Sequence, residues 1–293
     1  MNHAIKQMEW AFKEIYKFSS KIPIRTHINI GERQNSLIMP VFLPSSQYFI
    51  VKIVNIRSDK IPSIVGVINV FDVNSGDLIA IMDGGSITQM RTGAASGLAT
   101  RYLSNEDSKD LVLFGTGSQA LYQIDAVLEV RDISFIGVVG SSAKKSNSFS
   151  KIIKNNYSIE CSPIKSSEIP GNSIICTATT SQLPVFSDEQ IPPGCHINAI
   201  GSYQPLSREI PSSTILRSKI VVDHLKMCIL EAGDLIIPKE EKIWSFENIY
   251  CEIGELVLGL VPSRENKKEI TLFKSVGNAV QDLAIVNYIM RKL

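Results

Sequence analysis

Leu111-Val112-Leu113-Phe114-Gly115-Thr116-Gly117-Ser118-Gln119-Ala120 is the stretch on which the fold turns. Four consecutive apolar residues read as a buried strand, two glycines one residue apart as a tight turn, and the small residue three positions on as the opening of a helix. In such a turn Gly115 lets the chain reverse, Gly117 lets backbone approach a pyrophosphate, and Ala120 lets the helix pack on its strand. The free amides of the helix N-terminus then face the anion. Glycine turns of this length also occur in strand-turn-helix units that hold no ligand. Context argues for the ligand: Leu121, Ile124, Ala126, Val127 and Leu128 support an amphipathic helix, and Ile133-Ser134-Phe135-Ile136-Gly137-Val138-Val139 reads as a second buried strand. The expectation is an α/β fold with a dinucleotide site at Gly115 and Gly117.

Downstream the alternation continues. Residues 173–177 and 196–200 read as strands whose ends, Thr177-Ala178-Thr179-Thr180 and Gly201-Ser202-Tyr203, open onto the crevice where ligands bind in a parallel sheet. Residues 220–223 form a further short strand, 246–260 are expected to be mostly helical, 270–276 read as strand and 278–291 as helix. Upstream the pattern differs. Ile5, Met8, Phe12 and Ile15 recur at helical spacing, and strands follow at 27–30, 36–42, 48–56, 63–71 and 77–82, with Asn74-Ser75-Gly76 as a hairpin loop. Five strands on short links make an antiparallel or mixed sheet, so a domain boundary falls near Lys109. Between the two halves a helix runs from about residue 83 to 103, with Ser86 as its expected cap. Its run of Gly93, Ala94, Ala95, Ser96, Gly97 and Ala99 suits very close packing.

Composition narrows the function. A length of 293 residues allows a sizeable core, and a net charge of +1 without a basic tract argues against nucleic acid. No apolar run approaches a membrane span, and the N-terminus does not read as a targeting segment. Five scattered cysteines fit neither a disulfide framework nor a metal site, which points to reduced cytoplasm and no metal.

Three cations stand out in the first half. Lys52 lies in Phe49-Ile50-Val51-Lys52-Ile53-Val54, where alternation puts it on the face of Ile50 and Val54. An ammonium on an apolar face must be paired, partly wet or shifted in pKa, as in a substrate pocket; the alternative is an edge-strand lysine that blocks aggregation. Arg91 shares the first two helical turns with Ser86 and Thr88, an arrangement that suits an anion or an ordinary surface salt bridge. Arg25 follows Ile22-Pro23-Ile24 and is uninformative alone. His196, among strand residues, reads as a satisfied core histidine.

Several motifs occur in a recognisable order: Met82-Asp83-Gly84 through Thr88, Arg91-Thr92-Gly93-Ala94-Ala95, the glycine turn, Ile197-Asn198-Ala199-Ile200-Gly201, Arg208-Glu209, Val221-Val222-Asp223, Glu231-Ala232-Gly233-Asp234, and Thr271-Leu272-Phe273-Lys274-Ser275-Val276-Gly277. Together they resemble the ornithine cyclodeaminase and mu-crystallin family from Arg25 to the C-terminus. The resemblance implies a Rossmann-type dinucleotide-binding domain over 109–269. It also implies an N-terminal α+β substrate and dimerisation domain over 1–108, completed by the C-terminal helix within 270–293, in a homodimer. It implies a nicotinamide cofactor acting on amino acids or their imines. Arg25, Lys52 and Arg91 then fall where the family holds the substrate carboxylate and the reacting nitrogen, roles that suit a guanidinium and an amine. Thr88, Arg91, Ser118, Gln119, Thr177, Thr179, Ile200, Gly201 and Ser275 fall near cofactor contacts.

Two departures refine this. Tyr203 stands where ornithine cyclodeaminases carry an aspartate; its ordinary pKa of about 10 prevents it from acting as a carboxylate base, although it can donate a proton or shape the pocket. After the second strand, where an acid would grip the ribose of NAD, the chain has Val139-Gly140-Ser141-Ser142-Ala143-Lys144-Lys145. Ser141, Ser142 and Lys144 can receive a 2′-phosphate, which favours NADP and leaves NAD open. The expected activity is an NAD(P)H-dependent reductase of an imine, first of all a cyclic ketimine carboxylate. The alternatives are an opine-type dehydrogenase, an ornithine cyclodeaminase and a catalytically silent crystallin-like binding protein.

Overall fold

Two sheets organise the chain in the computed structural model, which describes residues 1–18, 22–57, 59–60 and 62–293. Helix α1 (Asn2–Phe18) precedes an antiparallel meander of β1 (Thr26–Gly31), β2 (Gln34–Val41), β3 (Tyr48–Arg57), β4 (Ile64–Asp72) and β5 (Leu78–Asp83), paired in that order. Helix α2 (Gly84–Leu103) then leads into β6 (Asp110–Phe114), α3 (Ala120–Leu128), β7 (Phe135–Val139), α4 (Ala143–Asn156), β8 (Glu160–Pro163), β9 (Ile174–Thr177) and β10 (His196–Ala199). The rest comprises α5 (Ser212–Arg217), β11 (Ser218–Val222), α6 (Leu225–Glu231), α7 (Gly233–Glu240), β12 (Cys251–Glu252), α8 (Ile253–Val257), β13 (Ile270–Lys274) and α9 (Ala279–Met290).

The second sheet has eight parallel strands in the order β12-β11-β13-β10-β9-β6-β7-β8. The order reverses beside β6, so a crevice opens at its carboxyl end. This is the doubly wound arrangement implied by the glycine turn, with β6 supplying the buried run Leu111 to Phe114.

One core joins the two sheets. Ile5, Met8, Phe12 and Ile15 of α1 are buried as their spacing requires. They share a cluster with Ile50 and Ile68 of the meander, Leu98 of α2 and Leu283 of α9. Helix α2 lies close enough to α3 that a side chain on Gly93 would meet the Tyr122 carbonyl oxygen at 2.5 Å.

Three local expectations are corrected and one alternative is removed. Residues 270–274 do not begin the returning segment: β13 pairs with β10 and β11 inside the parallel sheet, because its residues are buried throughout and both edges are hydrogen-bonded. The return to the first sheet is made by α9. Residues 246–260 hold a short turn (Phe246–Asn248), β12 and the five-residue α8 rather than one helix, since the Tyr250 amide and Cys251 pair with β11. The cap of α2 is Asp83, not Ser86. Strand β5 runs directly into the helix, and the Asp83 carboxylate accepts from the amides of Gly85 and Ser86. Lastly, β3 is the middle strand of five, so Lys52 is no edge-strand residue. Among the described residues no helix is long and apolar enough to cross a membrane.

Candidate active site

The crevice at the carboxyl end of β6 is a cleft of about 1010 Å³ lined by Gly115, Gly117, Ser141, Ser142, Lys144 and Thr179, among others. Gly115 sits at φ +106°, a conformation that favours glycine, and a side chain there would lie 2.4 Å from the Ala178 carbonyl oxygen. Above Gly117 there is open space. Ser118 is exposed at the bend, and the Gln119 Oε1 is buried with no partner among the described residues. A turn with room over its glycine and an unanswered buried acceptor beside it fits a dinucleotide. At the far end Ser142 caps α4 by accepting from the Lys145 amide at 3.3 Å. Ser141, Ser142, Lys144 and Lys145 stay exposed to the cleft.

Thr179 lines the cleft, and it converges with Thr177 and Gly201 on a residue that reading the sequence left unassigned. The buried Glu209 carboxylate accepts from the Thr177 hydroxyl at 2.8 Å, the Thr179 amide at 2.7 Å and the Gly201 amide at 2.9 Å. The Thr177 hydroxyl and the Gly201 amide are therefore committed inward, where they shape the wall. Asp234 in turn accepts from the backbone amides of Glu209 and Ile210 and from Lys274 Nζ at 2.6 Å. Burial pushes the Glu209 carboxyl up, and the neighbouring Asp234 adds to the effect. Ile200 is nearly buried beside Gly201.

The three cations expected at the substrate meet at the same carboxyl edge. Lys52 projects from β3 between Met39 and Ile68 of the flanking strands and is 1% exposed. Its Nζ donates to Asp282 Oδ1 at 2.7 Å and to Thr88 Oγ1 at 2.5 Å. Burial pushes its pKa down to about 8; Asp282 opposes that shift, whereas Arg91 and Arg25 contribute to it. Arg91 is buried too, its Nη1 donating to Gln281 Oε1 at 3.0 Å and its Nε 3.6 Å from Asp282 Oδ1. Its guanidinium lies against Gly277, just past the end of β13, so it spans the two sheets. Burial lowers the pKa of Arg91.

Arg25 joins the group in a way sequence reading did not anticipate. Its forked edge is already taken by Glu231, with Nε 2.7 Å from Oε1 and Nη2 bonded to Oε2, and Nη2 also donates to the Val276 carbonyl. Its bidentate grip is therefore spent on α6. His27 also contacts Glu231 at 3.0 Å. Ser275 is committed likewise, donating to Asp223 Oδ2 at 2.7 Å, which also accepts from the Gly277 amide and from Gln281. Tyr203 is half-buried against the apolar cluster around β10; burial raises its pKa and the Arg25 charge opposes that rise.

The acids Asp282, Glu231, Asp223 and Glu209 are thus the site residues that reading the sequence missed. Three of them stand inside motifs quoted above. Asp282 carried a local signal as well, being the one carboxylate in the largely apolar helix α9.

With this geometry in view, the family model described as the ornithine cyclodeaminase/mu-crystallin family matches residues 1–293. The chain belongs to that family. It is 34% identical over 300 residues to a Δ1-pyrroline-2-carboxylate reductase of Bacillus cereus, covering 100% of this chain and 92% of that one. A ketimine reductase mu-crystallin of Macropus fuliginosus is 31% identical over 266 residues, covering 89% and 81%. Among solved structures, the Thermococcus litoralis Δ1-pyrroline-2-carboxylate reductase in complex with NADH and L-proline superposes with a TM-score of 0.91 at 35% identity. It covers 99% of this chain and 94% of that one. An archaeal alanine dehydrogenase dimer with bound NAD gives a TM-score of 0.91 at 28% identity, covering 100% and 93%.

Proposed function

We propose that this chain is an NAD(P)H-dependent imine reductase that converts a small cyclic ketimine carboxylate, of the Δ1-pyrroline-2-carboxylate class, into the corresponding amino acid. The observation that carries this reading is Lys52. It is a buried ammonium beside Arg91, at the edge where the glycine turn opens. Gly115 and Gly117 would hold the pyrophosphate of a reduced nicotinamide dinucleotide, which would supply the hydride. Arg91, the cation whose fork is least committed, anchors the substrate carboxylate. Arg25, held by Glu231, adds positive charge without a bidentate grip. Lys52 Nζ gives its proton to the imine nitrogen, and Tyr203 walls the pocket on the side of β10. Replacement of the cyclodeaminase aspartate by Tyr203 argues against ring-closing deamination.

For the cofactor we favour NADP. Ser141, Ser142, Lys144 and Lys145 surround the N-terminus of α4 with donors and positive charge, and no carboxylate stands there to repel a 2′-phosphate. The second reading is NAD, favoured by the NADH and NAD named with the two solved relatives. The functional division places residues 1–108 and α9 with substrate and dimer contacts, and the parallel sheet with the cofactor. The homodimer would form through the meander, whose outer face exposes Ile28, Ile30, Val65, Leu78 and Ile81. Five buried, free cysteines support a reducing compartment, and we place the enzyme in the cytoplasm.

The test is to follow reduced-cofactor absorbance with purified protein, both cofactors and a panel of cyclic imines, 2-oxo acids with amines, and ornithine. Turnover of a cyclic ketimine carboxylate is expected. Folded protein that binds cofactor and turns over no imine would overturn the reductase reading.

A further inference from the structure

The group that prepares Lys52 for its task stands on another element, 230 residues away in the chain. Asp282 lies in the first turns of α9, a helix started by Asn278, whose side chain accepts from the Val280 amide. It is fully buried. Oδ1 takes one proton of Lys52 Nζ at 2.7 Å, while Oδ2 has no partner among the described residues. A second Nζ proton goes to Thr88 Oγ1 at 2.5 Å, and the Thr88 hydroxyl spends its own proton on the Gly84 carbonyl. An ammonium has three donors and a hydroxyl one. Both shared protons are therefore assigned, and one N–H of Lys52 is left uncommitted.

We infer that Asp282 is a positioning residue for imine reduction: with Thr88 it fixes two of the three Lys52 protons, keeps the amine charged, and leaves the third proton directed at the substrate nitrogen. This rests on the reductase reading above. In the step itself hydride adds to the imine carbon, the C=N π pair moves to nitrogen, and nitrogen takes the Lys52 proton. The amine, the oxidised cofactor and a neutral Lys52 result; Lys52 recovers its proton from solvent after product leaves. Asp282 remains a carboxylate throughout.

The charges around Lys52 make this one acid decisive. Arg91 faces it from α2 and Arg25 from the segment before β1, and both disfavour an ammonium. Glu231 is engaged with Arg25, and Asp223 with Ser275, Gly277 and Gln281. The pH profile separates the two roles: a carboxylate whose only work was to dock α9 on the sheet would leave the alkaline limb of kcat/KM in place.

The experiment uses the full-length chain without cofactor and follows the titration of Lys52 by NMR of lysine labelled with carbon-13 at Cε, a readout that does not require reagent access to a 1% exposed amine. For Asp282→Asn the titration midpoint is expected to fall by a unit or more, which raises the neutral fraction at pH 7 about fivefold or more. The alkaline limb of kcat/KM falls with it, and reduced-cofactor affinity is unchanged. Asp282→Glu, which keeps the charge, restores most of the midpoint. A folded Asp282→Asn protein with the wild-type midpoint overturns the inference. If that variant does not fold, Thr88→Val tests the same arrangement: kcat should fall at least about tenfold with KM little changed, and an unchanged kcat overturns it. The NMR titration does not need turnover, so wild-type protein without activity would remove the reductase reading and still leave the Lys52 measurement interpretable.

Discussion

Lys52 is the residue in which the account can be checked most finely. A lysine held at a pKa of about 8 carries its proton below that value and loses it above. The prediction is therefore that kcat/KM falls as pH rises through about 8. Lys52→Met should lower kcat/KM by about a hundredfold or more while reduced-cofactor affinity, read by fluorescence, stays within error. His196 yields a stability prediction of the opposite kind. Burial pushes its pKa down to about 3 from an ordinary 6.5, so the unfolded chain binds a proton that the folded one does not. Stability should be at its full value above 6.5 and be lost progressively as pH falls toward 3, with the melting temperature declining over that window. At this scale the cations were legible and their partners were not. Lys52 betrays itself by interrupting an apolar alternation, whereas Asp282, Glu231 and Glu209 acquire meaning only when distant segments meet. The Arg25 fork, expected to be free for substrate, is occupied for that reason.

Helix α2 carries the argument at the level of elements. Its lack of side chains allows contact with α3, and its N-terminal turns bring Thr88 and Arg91 to the site. Alanine is a better helix former than glycine by about 1 kcal/mol, so intrinsic propensity favours Gly93→Ala. The added methyl would meet the Tyr122 carbonyl oxygen, and the overpacking should dominate at about 1–3 kcal/mol, seen as a lower melting temperature. At the start of α4, Ser141→Asp leaves the Ser142 cap intact and sets a negative charge where a 2′-phosphate would sit. The ratio of kcat/KM for NADPH over NADH should fall about tenfold, in line with 1.4 kcal/mol of repulsion, and an unchanged ratio would argue for NAD. Most elements were readable because burial on one face leaves a period in the sequence. Residues 246–260 misled because their apolar residues serve a two-residue strand and a single helical turn, each too short to show a period. Strand β13 was seen as a strand, but its neighbours were not, since pairing in a parallel sheet leaves no local mark.

For the whole molecule, the exposed apolar face of the meander is the feature a monomer leaves unexplained. Strand β5 forms a free edge with Ile81 at 64% exposure, so burial in a dimer would cover it. Ile81→Glu should convert a dimer to a folded monomer by light scattering, and a wild-type protein that is already monomeric would remove the proposal. The two-sheet architecture was legible from the change of pattern near residue 109. The shared core of α1, α2 and α9 was not, because it is assembled from both ends of the chain. That core packs the meander that carries Lys52 against the parallel sheet that carries the glycine turn. The most direct measurement of that juxtaposition supplies Δ1-pyrroline-2-carboxylate and a reduced cofactor carrying deuterium at both C4 positions of the nicotinamide, and examines the proline formed. The account predicts one deuterium at the carbon bearing the carboxylate and one cofactor oxidised per proline, with labelled proline formed about a hundredfold more slowly by Lys52→Met. Proline formed without the label, or label transfer that Lys52→Met leaves unchanged, would contradict it.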